Sequence, residues 1–229
     1  MKLETKDSSA KLFYLFLATD FAFIILHIIH VSTDWISSDY FSIERERGYA
    51  ELFQYIKEYW IALILVILAV KWRSILCLIW SLLFFYLLLD DSLEVHEKLG
   101  ELISNQLAFS PAFNLRAKDL GELLVSAGVG LFFLIAIAIA YRFGDRISRE
   151  ISRSLIVMLF TLALFGIVGD LLHMAFYESF LKPFLGLLED GGEMIVISVM
   201  AWFVFKQMEP LKPAIYPEAL KQPVSPYQD

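Results

Sequence analysis

The run Leu87-Leu88-Leu89-Asp90-Asp91-Ser92-Leu93-Glu94-Val95-His96-Glu97 changes character within one residue. Its first part ends a long apolar block. Its second part holds five ionisable side chains. Such groups at the edge of a membrane span are costly unless they face protein, water or a metal, so the run marks both a span end and a candidate site. Working outward, the same switch from apolar block to Asp, Glu and His recurs along the chain.

The composition fits that reading. Of 229 residues, 58% are hydrophobic and 20% charged, with a mean hydropathy of +0.62. Soluble domains average about 25% charged residues. A spanning helix needs roughly 20 apolar residues, and the apolar excess lies in blocks of about that length. The fold class is all-α: a polytopic membrane protein with a six-helix transmembrane bundle over residues 1–208. The spans fall at about 11–31, 55–72, 74–90, 122–141, 154–176 and 187–205. A Pro-rich cytoplasmic tail, 209–229, follows. The alternating ten-residue segments of a β-barrel are absent.

Lysine and arginine bias in short loops sets the orientation. With both termini inside, the inner segments hold 12 of the 19 Lys and Arg residues. The loop from Arg142 to Arg153 carries four of them. Acidic residues, which play no part in that assignment, then fall mainly on the outer side. So do all four histidines, His27, His30, His96 and His173. The segment from Gly48 to Ile56 reads as an amphipathic helix that lies at the interface or extends the second span.

Four groups at the outer level carry chemistry. Asp90, Glu94, Glu97 and Glu101 have i, i+4, i+7, i+11 spacing and share one face if the third span continues as a helix. Glu101 reads as solvated. Asp91 sits beside the ladder, and His96 joins it only if the helix bends. Asp170 and His173, at i, i+3, can chelate one metal, or Asp170 can orient the imidazole. The glycines before them, Gly166 and Gly169, allow close helix approach. Glu189, Asp190 and Glu193 open the sixth span, where acids also complement the helix dipole. His27 and His30 end the first span, with Asp20 about 10 Å deeper by helix rise.

These residues predict a divalent metal site. Its expected ligands are Asp90, Asp91, Glu94, His96, Asp170, His173, Glu189, His27 and His30. Glu97 or Glu193 is the expected catalytic base. Mixed carboxylate and imidazole sets suit Zn, Fe or Mn, whereas all-carboxylate subsets suit Ca or Mg, and calcium ranks behind the first three. The lone cysteine, Cys77, excludes an intramolecular disulfide and a Cys-based metal site. No Glu-x-x-His pair of the ferritin-like kind occurs. No Lys/Arg-rich block suggests nucleic acid.

Three segments, Ala50-Glu51-Leu52-Phe53-Gln54-Tyr55, Leu89-Asp90-Asp91 with His96-Glu97, and Leu188-Glu189-Asp190-Gly191-Gly192-Glu193, resemble those of uncharacterised bacterial multi-span membrane proteins. The resemblance implies a bacterial inner-membrane location and supplies no activity. The chain does not resemble the ceramidase-like membrane hydrolases, whose His-x-x-x-His pair it lacks.

The leading functional expectation is a metal site at the outer face, in an enzyme that acts on a lipid or other apolar substrate. Two alternatives stand beside it. One is a non-catalytic subunit docked to membrane-protein partners. The other is a proton or cation carrier that uses Asp20 as a relay.

Overall fold

The computed structural model describes residues 5–111, 116–169, 171–172 and 182–208. Among them there is no strand. The helices are α1 (Thr5–Ser32), α2 (Tyr49–Trp72), α3 (Ile75–Leu93), α4 (Val95–Gln106), α5 (Ala117–Phe143), α6 (Arg146–Ala163) and α7 (Lys182–Gln207). A 3-10 turn, Asp39–Phe41, lies between α1 and α2, and a π-helical turn, Leu164–Gly169, continues α6. Five helical stretches are long and apolar enough to cross a membrane: α1, α2, α3, α5, and α6 with its π turn. The chain is a multi-pass membrane protein by that architecture. α7 is the sixth long helix. Glu189, Asp190 and Glu193 near its start set it apart from the other five.

Sequence signals explain the boundaries. α2 and α3 form a tight hairpin because Arg73 takes a left-handed conformation, φ 52° and ψ 41°, that reverses the chain. Ser74 then caps α3 by accepting the Cys77 N–H at 3.3 Å. Asp145 caps α6 through the N–H groups of Ile147 and Ser148. The contact with Ser148 holds the Asp145 carboxyl below its usual range. Arg116 and Asp119 close the start of α5, with the Arg116 N–H and guanidinium both on the Asp119 carboxylate.

Apolar burial between helices gains little in lipid, so packing and interhelical hydrogen bonds hold such a bundle together. The core is built from Ile61, Leu65 and Leu68 of α2, Leu76, Trp80 and Phe84 of α3, Leu155 of α6, and Ile197, Met200 and Val204 of α7. Trp80 Nε1 donates to Ser152 Oγ at 2.9 Å, and Ser81 Oγ donates to the Ala62 carbonyl at 2.7 Å. The outer faces of α1 and α5 present Leu15, Phe21 and Ile25, and Leu131, Phe132 and Ile139. Exposed apolar faces on helices of this length suit lipid contact.

Two expectations need correction. The second span begins not at Tyr55 but at Tyr49, so the amphipathic stretch extends it. Lys57, placed by sequence at the outer end of that span, is therefore more than two turns inside the helix and fully buried. Nor does the third span continue past Leu93 as one helix. Glu94 is left-handed, φ 55° and ψ 45°, and breaks α3 from α4. The ladder Asp90, Glu94, Glu97, Glu101 is thus split between two helices. α4 then folds against α5, where Gly100 and Gly121 meet so closely that a β-carbon at Gly100 would lie 2.5 Å from the Glu122 nitrogen.

Candidate functional site

The C-terminal ends of α1 and α3 and the N-terminal parts of α2 and α7 gather at one end of the bundle. Between them opens a cleft of about 170 Å³. Glu44 and Glu46 line it from the loop before α2, and Glu51 from the first turn of α2. Asp90 and Asp91 come from α3, Glu94 and Glu97 from the α3–α4 joint, and Asp190 and Glu193 from α7. Among the described residues, the basic side chains in the cleft lining are Arg45, Arg47 and His96.

The break at Glu94 makes part of this arrangement. It turns the chain so that the His96 N–H donates to Asp90 Oδ1 at 2.7 Å, and His96 Nδ1 lies 3.1 Å from Asp90 Oδ2. The Asp90 contact raises the His96 pKa above the ordinary imidazole value, against the opposing effect of burial. The bend that sequence reading required for His96 is therefore present. Glu94 itself is held by Arg47 and Lys98. Glu97 accepts from Lys118 Nζ at 2.9 Å.

His27 and His30 do not line the cleft. His27 Nδ1 accepts the Ile43 N–H at 3.3 Å and lies 3.2 Å from Ser42 Oγ. His30 Nδ1 donates to the Ile36 carbonyl at 2.8 Å. Both imidazoles tie α1 to the loop that follows it. Glu189 and Glu193 sit against the π turn. A β-carbon at Gly169 would come within 3.1 Å of Glu189 Cβ, and one at Gly166 would collide with the Glu193 carboxylate. The glycines permit the close approach that the sequence suggested. Asp170 and His173 lie outside the described residues. Among the described residues, no three His, Cys, Asp or Glu side chains stand together as a ready metal cage.

Below the cleft is a group that sequence reading did not pick out. Glu58, one turn below Gln54 on α2, is 1% exposed. Its carboxyl lies within hydrogen-bonding reach of the Asp91 carboxyl. Tyr55 OH steadies this part of α3 by donating to the Asp91 carbonyl at 3.0 Å.

One layer deeper, Lys57 Nζ donates to Asp20 Oδ1, the Met194 carbonyl and Ser198 Oγ, each at 3.0 Å. Ser198 Oγ donates in turn to Asp20 Oδ2. All three ammonium donors are used, so α1, α2 and α7 are pinned at one point. Beneath this lock, Phe16, Trp60 and Phe205 form an aromatic layer with ring centroids 6.1 to 6.2 Å apart. Along the described residues, the cleft therefore opens at one end of the bundle and is closed below by an ion pair and aromatic rings.

The residues that build this stack all lie within a single family match, 12–207. The chain belongs to the DUF8692 family, described as a domain of unknown function. No curated protein and no solved structure matches the chain.

Proposed function

We propose that this member of the DUF8692 family binds a divalent metal ion in the carboxylate cleft, at the outer face of a bacterial inner membrane. The bundle has six spans, α7 being the sixth, and both termini are inside. The metal polarises a water or a substrate oxygen for attack on a lipid or other apolar substrate that enters from the bilayer. Glu193, which lines the cleft, serves as the base. Glu97 suits that role less well because Lys118 holds its carboxylate.

The observation that carries this reading is the cleft itself, whose lining holds nine carboxylates and three basic side chains, with Lys98 and Lys118 pairing with two of the nine from outside it. Like charges at that density repel, and a bound cation relieves the repulsion. The alternative of a carrier relaying through Asp20 draws less support. The partners of Asp20 are a saturated lysine and a serine, and aromatic rings lie below them.

Metal analysis of the purified protein tests the reading. Stoichiometric divalent metal that is lost on Asp91→Ala or His173→Ala is expected. A metal-free wild type, or a content unchanged in both variants, overturns it.

A further inference from the structure

Glu58 is an incompletely satisfied acidic side chain beside the cleft residue Asp91. Its Oε2 is buried and has no hydrogen-bond partner. A buried polar atom left unpaired is costly, so such an atom is a sign of a missing ligand. The atom belongs to the residue that underlies the cleft. Asp91 faces it from α3, and Glu193 of α7 acts on it through charge. Gln54, one helical turn above and itself buried, lines the cleft wall. Lys57, the next residue on α2, is fully occupied by Asp20, Met194 and Ser198, so it has no donor left for Glu58.

We propose that Glu58 and Asp91, with the Gln54 amide oxygen, form an oxygen-only subsite at the cleft floor for a hard divalent cation of the Mg²⁺ type. This rests on the cation-cleft reading above and deepens it by naming ligands and metal class. A cation of this kind dehydrates reluctantly and is held by one or two carboxylates while keeping several waters. Two converging carboxylates are therefore enough, and a closed cage of three or more side chains is not needed.

Nitrogen ligands are few here: among the described residues, His96 is the one imidazole in the cleft lining. His27 and His30 are committed to the loop after α1. The ion bridges α2 and α3, supplies the partner that Glu58 Oε2 lacks, and leaves its water-bearing side toward the open cleft.

Calorimetric titration of the full chain in nanodiscs with Mg²⁺, Mn²⁺ and Zn²⁺ tests the subsite. Saturable Mg²⁺ and Mn²⁺ binding is expected, weakened about tenfold or more by Glu58→Gln and by Asp91→Asn, a loss of one charged ligand each. His27→Ala, away from the cleft, leaves it within about twofold. Glu58→Asp, which keeps the carboxylate, regains part of the loss and separates ligation from misfolding. Mn²⁺ bound to the wild type retains water, read by water-proton relaxation. Unchanged Mg²⁺ binding in Glu58→Gln, or Zn²⁺ binding that depends on His96 instead, overturns the subsite and leaves the cation cleft standing. Absence of any divalent binding overturns both.

Discussion

Asp90 grips His96 across a break in the helix. One carboxylate oxygen receives the His96 N–H at 2.7 Å and the other lies 3.1 Å from the ring Nδ1. Asp90 lies in the last turn of α3 and His96 in the first turn of α4, so this one side chain both anchors the start of the new helix and fixes the imidazole at the cleft wall.

That grip makes the joint pH-dependent. The Asp90 contact raises the His96 pKa above the unfolded value of about 6.5. The stability it contributes is fully present below that unfolded value and is lost as pH rises through the higher native value. Thermal unfolding followed from about pH 5 to pH 9 will show this loss, and Asp90→Asn will flatten it. A His96 ring resonance that titrates no higher in wild type than in Asp90→Asn would remove the linkage.

The left-handed Glu94 yields a second expectation. A non-glycine residue in that conformation costs about 1–2 kcal/mol. Its ion pairs to Arg47 and Lys98 are partly exposed and are worth about 0–1 kcal/mol each. The two effects nearly cancel, so Glu94→Gly will unfold within about 1 kcal/mol of wild type. Glu94→Val loses the same charges and adds a β-branched side chain at φ 55°, so it will be less stable by about 1–3 kcal/mol. If glycine proves worse than valine, the charges and not the backbone hold the joint.

The Asp20–Lys57 pair is the third test. Both side chains are fully buried. Removing one partner strands the other charge, so Lys57→Met or Asp20→Asn alone will cost about 3–5 kcal/mol. The double variant will recover a large part of that loss. Detergent-denaturation midpoints of the four proteins give the coupling. Single variants that lose less than about 1 kcal/mol would show that the pair does not pin the bundle.

Much of the architecture was legible because lipid solvation demands long apolar blocks. α1, α2, α3 and α5 cover the blocks expected of them, with ends displaced by a few residues. The displacements carry the lessons. Starting the second span at Tyr55 left Lys57 and Glu58 as end groups. A helix that starts at Tyr49 draws them into the interior. Their partners, Asp20, Met194 and Ser198, are distant in sequence, and no local pattern links them. The break at Glu94 was equally hidden, since neither glycine nor asparagine marks it. His27 and His30 looked like ligands by spacing alone. Their ring nitrogens meet Ile43 and Ile36 backbone groups, and helical spacing says nothing of such contacts.

The lock below the cleft also has an electrical consequence. A membrane voltage does about 2.3 kcal/mol of work on each unit charge moved across 100 mV. The Lys57 ammonium and the Asp20 carboxylate, 3.0 Å apart, are opposite in sign and shift together, so they carry no net gating charge. The cleft above opens at one end of the bundle, and water in it carries the potential of the side it faces toward its floor. The voltage then drops across the half of the bundle below the lock, through the layer of Phe16, Trp60 and Phe205. The cation proposed for the cleft is thereby insulated from the membrane potential and follows only the composition of the solution the cleft faces.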